Sequence, residues 1–295
     1  MTSLSRELIE TEGVMRPWVA AVVLALLACP PLAQGAGADD TSPFDRPLQT
    51  RRVTLGPSPN TPGQQSVVRC STYAGFMVKE IDTAEVGDDQ ISVLPLQSAA
   101  ERPACQAANR PGEKIVPNDI WGGYFLGVRA GYLFLSAEDG VNGGMGFAVM
   151  RGEAPTRLLF QDLAALDHDR IRFGVISVEG DRLRLRYTRL YAAPCSVQTG
   201  GATCWARIVA ETHVLPTPAP DCAAGYLRAK RELAAGRCEA QSHRGDAACL
   251  SKELQGMADW DASPSIIGYD VDVVVGPGGA QMTATSAAGS CWPAD

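Results

Sequence analysis

The stretch Arg170–Tyr191, RIRFGVISVEGDRLRLRYTRLY, decides the fold class. Apolar and polar residues alternate on both sides of Glu179-Gly180-Asp181, the period-two pattern of half-buried strands. Register selects the loop. A two-residue loop at Gly180-Asp181 sets Val178 opposite Leu183, Ile176 opposite Leu185 and Gly174 opposite Tyr187. It also sets Glu179 opposite Arg182 and Ser177 opposite Arg184. Apolar then meets apolar and acid meets base, the arrangement cross-strand pairs favour. A three-residue loop puts Val178 against Arg182 and mixes the two faces. Glycine first in a two-residue loop suits a type II′ turn. The hairpin therefore buries Ile176, Val178, Leu183, Leu185 and Tyr187. Its other face carries Arg182, Arg184 and Arg186. Outward arginines discourage edge-to-edge aggregation; the same ladder is a candidate strip for an anionic ligand.

The alternating pattern recurs on either side. Downstream, Ile266–Val275 places Tyr269, Val271 and Val273 on one face and Asp270 and Asp272 on the other. If those acids lie across the sheet from the arginines, the ladder is a structural feature. Gly276–Gly279 turns into a last strand, Ala280–Ala287. Upstream, Ser66–Asp82 and Ile91–Leu96 are strand-like, and Ser98–Asn118 is a loop. Gly123–Arg129 and Gly131–Ala137 pair through a tight turn at Ala130-Gly131. Glu138–Gly146 is read as a mobile loop or bulge, and Asp162–Asp169 as a connection after Arg157–Gln161. Ala206–Val214 is read as a further strand. Sequential strands of this kind pair antiparallel. The expected fold is mainly β, an antiparallel meander closed as a sandwich or barrel-like sheet. A disulfide-braced helical hairpin is inserted at about 221–255, where Asp221 caps the first helix and Leu250, Leu254 and Met257 share a face of the second.

The amino-terminus reads as an export signal. Trp18–Cys29, WVAAVVLALLAC, is too short to span a bilayer comfortably. The acidic stretch before it is wrong for a signal, whereas Met15-Arg16 is a normal start. Residues 1–38 are thus assigned as a signal peptide with its true start at Met15 and cleavage after Ala38. Leu26-Leu27-Ala28-Cys29 is the competing signal, a lipoprotein box that makes Cys29 a lipid anchor. Residues 39–65 carry five prolines and read as a flexible tether. The mature domain is 66–295. Net charge −7 argues against a nucleic-acid binder.

Nine cysteines fit this address. Without Cys29, eight remain, an even set of the kind that forms disulfides in a secreted or periplasmic chain. Cys195 and Cys204 bracket a Gly-containing turn, which suggests one bond. An antiparallel helical hairpin brings Cys238 to Cys249, leaving Cys222 for Cys291 and Cys70 for Cys105.

Catalytic motifs do not emerge: there is no G-x-S-x-G, S-x-x-K, H-E-x-x-H or P-loop. Asp167-His168-Asp169 is the candidate metal group, and Trp260, between Asp259 and Asp261, is a candidate ligand contact. No cofactor is implied. The function expected is non-catalytic binding or interaction, with an envelope protein or an anionic ligand as partner. The alternatives are an envelope hydrolase built on Asp139, Asp167 and Asp169, and a lipid-anchored structural protein.

Overall fold

The computed structural model describes residues 42–212 and 218–294. The signal segment, Cys29, His213 and Val214 lie outside the described residues. Two antiparallel sheets form the body. The smaller runs β1 (Gln49–Pro57), β2 (Gln65–Thr72), β3 (Phe76–Asp82), β4 (Gln90–Pro95) and β5 (Lys114–Ile115), in that spatial order. The larger contains β6 (Tyr124–Arg129), β7 (Tyr132–Val141), β8 (Gly144–Arg151), β9 (Ala154–Asp167), β10 (Arg170–Ile171), β11 (Phe173–Glu179), β12 (Arg182–Ala192), β13 (Ser265–Gly276), β14 (Gly279–Ala284) and β15 (Ser290–Pro293). Helices α1 (Val197–Glu211), α2 (Ala223–Ala240) and α3 (Ala247–Gln255) fall between β12 and β13. No helix among the described residues is long and apolar enough to cross a membrane.

The central hairpin is β11–β12. Val178 faces Leu183, Ile176 faces Leu185, Ser177 faces Arg184 and Glu179 faces Arg182. Gly180 takes φ +63°, as the first position of a type II′ turn requires. One pairing differs: Phe173, not Gly174, stands opposite Tyr187. A bulge at Gly174 absorbs one residue and turns the Phe173 ring inward. There it meets Phe134 at 5.7 Å and Phe147 at 5.2 Å.

Strands β7 and β8 bury both faces. Tyr132, Phe134, Phe147 and Val149 enter one core, shared with β11–β14 and the helices α1 and α2. Leu133, Leu135, Ala148 and Met150 enter another, against Val78, Ile91 and Val93 of the small sheet. Near-continuous apolar runs such as Tyr132–Leu135 follow from this double burial. The large sheet curls until β11 comes close to β6. Phe44 fills the remaining gap, 5.3 Å from Phe134 and 6.2 Å from Phe173. A Cβ at Gly127 would lie 2.5 Å from that ring, so only glycine fits there.

Several expectations need correction. The tether assigned to 39–65 contains β1, paired along its length with β2 apart from a bulge at Leu55. Its prolines flank QTRRVTL without interrupting it, and Pro57 ends the strand at a sheet edge, where proline is tolerated. Glu138–Gly146 is a hairpin, with Asn142 at φ +54° and Gly143 at φ +76°. Asn-Gly is the strongest short hairpin signal. Asp162–Asp169 lies within and just beyond β9. The expected strand at Ala206–Val214 is helical as far as Glu211, and Thr212 caps the helix. Ser196 caps α1 by accepting from the Thr199 N–H at 3.3 Å. Beyond a kink at Gly201, Cys204, Trp205 and Ile208 are buried at helical spacing, and Val197 is buried in the turn before it.

The four disulfides are Cys70–Cys105, Cys195–Cys204, Cys222–Cys291 and Cys238–Cys249. Cys195–Cys204 ties the residue before the α1 cap to the helix, so its geometry is that of a helix entrance and not of a hairpin. Cys222–Cys291 fixes α2 to β15, where a Cβ at Gly225 would overlap the Cys291 carbonyl oxygen.

Candidate functional site

The two stacked sheets leave a cleft of about 670 Å³ at one end of their seam. Three turns surround it: β2–β3 at Tyr73–Gly75, β6–β7 at Ala130-Gly131 and β8–β9 at Gly152-Glu153. The segment Asp45–Leu48 and Lys114 close the remaining sides. The β6–β7 turn is short because two positive-φ residues make the reversal, Ala130 (+46°) and Gly131 (+83°).

Tyr73 and Phe76 lie in the cleft wall with ring centroids 5.6 Å apart. Burial pushes the Tyr73 phenol up to about 12, with the charges of Glu80 and Asp45 adding to the effect. The hydroxyl therefore keeps its proton well above neutrality. The cleft also carries two cations held by neutral groups. Lys114 Nζ donates to the Glu153 carbonyl at 2.5 Å. The Arg151 guanidinium sits 4.0 Å over the Tyr132 ring and donates to the Asp181 carbonyl at 3.3 Å. Arg151 also lines a smaller depression of about 240 Å³ beside β13. Asp45, in contrast, is occupied: it accepts from Arg129 at 3.1 Å and from the Ala130 N–H at 2.6 Å.

The residues singled out from sequence lie elsewhere. Arg184 donates to Asp272 at 2.8 Å, and Arg186 grips the same carboxylate with two bonds of 2.6 and 2.9 Å. Those bonds, Arg186 first, hold the Asp272 carboxyl down at about 2. Arg182 is exposed beside Glu179. Trp260 is half-buried in the 3-10 turn Ala258–Ala262, which touches α1 and α2. Its neighbour Asp261 pairs with Lys230 at 2.8 Å.

Asp167, His168 and Asp169 form the tip between β9 and β10. His168 and Asp169 take φ +48° and +65°, and the His168 side chain is 98% exposed. Asp167 is paired with Arg172 at 2.8 Å. Among the described residues, no three His, Cys, Asp or Glu side chains gather as a metal ion would require. Asp139 lies exposed on β7, and no hydrogen bond or ion pair among the described residues joins it to Asp167 or Asp169.

Sequence reasoning passed over the cleft residues because each belongs to a different turn. The turns are readable; the stacking that assembles them is not. It also passed over a polar joint in the large sheet. Strands β9 and β12 pair at one position, Arg189 with Ala164. Asp162 reinforces that seam by accepting from Arg189 Nε at 2.9 Å and from the Tyr187 hydroxyl at 2.5 Å. Arg189 also donates to the Tyr269 hydroxyl at 2.9 Å. Neither a family model nor a curated protein matches this chain.

Proposed function

We propose that this is a non-catalytic binding protein of the periplasm or extracellular space, and that its inter-sheet cleft takes an amphipathic anion. The single observation that carries this reading is the pairing of an aromatic wall, Tyr73 and Phe76, with Lys114 and Arg151, whose charges meet carbonyls and not carboxylates. An apolar pocket with a few convergent polar groups is the usual form of a small-ligand site. Its charge runs against the net −7 of the chain. The export-like run Trp18–Cys29 and the four disulfides support an oxidising compartment.

The test uses dodecanoate as probe, with dodecanol as its neutral counterpart. Calorimetry is expected to show saturable dodecanoate binding and at least about tenfold weaker dodecanol binding, because a charge-assisted contact is lost. Lys114→Ala combined with Arg151→Ala is expected to abolish the preference. Absence of saturable binding, or a preference that survives the double substitution, overturns the reading. Native mass spectrometry of protein from its own envelope fraction then identifies the natural adduct.

A further inference from the structure

At the far end of the same seam, three carboxylates face a single guanidinium. Glu80 (β3) lies 3.6 Å from Arg69 (β2), and Asp82 lies 2.7 Å from the same side chain. Asp88, in the β3–β4 loop, is 8% exposed; the Phe125 N–H lies toward its carboxyl, but neither oxygen receives a well-aligned hydrogen bond. The other acids nearby are satisfied. Asp82 also accepts from the Ala84 N–H at 2.8 Å, and Asp89 accepts from the Thr83 N–H at 2.8 Å. Glu80 and Asp88 are left with little compensation for burial. An uncompensated buried charge is expensive, so such a group keeps its proton.

The loop that carries Asp88 docks on the large sheet. The Asp88 N–H donates to the Gly123 carbonyl at 3.0 Å, and the Gly87 N–H donates to the Tyr124 hydroxyl at 2.7 Å. From β7, Glu138 reaches between Gly87 and Gly122. The groups facing the pair are therefore Arg69, Asp82, Asp89 and Glu138, the Tyr73 phenol beside Glu80, and the Phe125 amide and Tyr124 hydroxyl on β6. Ala84 takes φ +66°, a conformation alanine rarely adopts, so the docked loop has to be held by its contacts.

We propose that Glu80 and Asp88 form a proton-held latch: protonated, they let the β3–β4 loop close onto β6, and ionised, they release it. When both protons leave to solvent, Arg69 faces three carboxylates, and Glu138 adds a fourth nearby. The electrostatics agree in direction. Burial first, then the charge of Asp88, raises Glu80 to about 8; burial raises Asp88 to about 6. A carboxyl raised in the folded state stabilises it fully below its ordinary value and loses that contribution as pH climbs through the raised one. The latch therefore weakens from the weakly acidic range to about pH 8.

Amide hydrogen exchange at Gly87 and Asp88 reads the latch directly. After correction for intrinsic exchange, protection in the wild type is expected to fall at least about tenfold between about pH 5 and about pH 9, since each unit of pKa displacement is a factor of ten. The Glu80→Gln/Asp88→Asn variant keeps the shapes of the protonated acids and is expected to stay protected throughout. Unchanged protection in the wild type, or the same pH dependence in the variant, overturns the latch. So does protection restored by millimolar calcium at the alkaline end, which assigns the cluster to a cation. Carbon NMR of the wild type gives an independent reading: a Glu80 carboxyl carbon that titrates in the ordinary carboxylate range also overturns it.

Discussion

Asp272 carries opposite consequences from Glu80. Two arginines hold its carboxyl at about 2, so its contribution is present above the ordinary value near 3.8 and disappears as pH falls toward 2. Glu80 and Asp88 lose theirs as pH rises. Stability should thus peak in the weakly acidic range and decline on both sides. We expect Asp272→Asn to lower the urea midpoint at neutral pH and to flatten the acid limb, while leaving the alkaline limb unchanged. An acid limb of wild-type steepness in the variant would mean that the contacts with Arg184 and Arg186 contribute nothing measurable, as holds for many exposed ion pairs. The ladder illustrates what one strand of sequence contains. The facing of Arg184 and Arg186 follows from alternation alone. Their partner comes from β13, 88 and 86 residues later, and register across β12–β13 decides it.

At the scale of elements, the weakest joint in the large sheet is where β9 meets β12, and Asp162 reinforces it. Its side chain is 9% exposed and that of Arg189 is 23% exposed. Removing one partner from a largely buried pair leaves the other uncompensated, so Asp162→Ala should cost about 3 kcal/mol in urea denaturation. Tyr187→Phe, which removes one hydrogen bond and keeps the ring, should cost about 1 kcal/mol. Equal, small losses in the two variants would show that packing, and not the polar joint, holds β9 to β12. Strand β12 was readable from alternation and its turn, whereas only Arg157–Gln161 of β9 was, and the half that carries Asp162 was read as a connection. The helical hairpin was readable in place, but Cys222 and not Asp221 stands at the cap of α2. Two whole elements were not readable. The first is β1, whose prolines suggest a tether although its own QTRRVTL core is an ordinary edge strand. The second is α1, whose Ile208-Val209 favours strand, while the Ser196 cap and the buried Cys204, Trp205 and Ile208 beyond the Gly201 kink favour helix. In both, local propensity loses to pairing and packing partners distant in sequence.

Across the whole molecule, the disulfides and the buried pair Lys79–Glu113 divide the work of holding covers onto sheets. Cys70–Cys105 and Lys79 Nζ, 2.6 Å from Glu113, both pin the 98–113 loop over the outer face of the small sheet. That placement gives the small sheet a second buried face, with Val68, Cys70 and Met77 beneath the loop. The cleft depends on the sheets keeping their relation, and it was illegible in the sequence because no single segment contains it. The bonds close loops of very different length: 69 residues separate Cys222 from Cys291, and 9 separate Cys195 from Cys204. If each acts by restricting the unfolded chain, the long one contributes about 4 kcal/mol and the short one about 2.5 kcal/mol. Paired Cys→Ala variants, one bond at a time, should follow that order in their denaturation midpoints. The opposite order would locate the value of Cys195–Cys204 in the folded state, where it braces the kinked entrance to α1 at Gly201, φ +49°. A helix entrance that needs such a brace should then also lose amide protection over Val197–Gly200 when that bond alone is removed, and the stability measurement and the exchange pattern would have to agree.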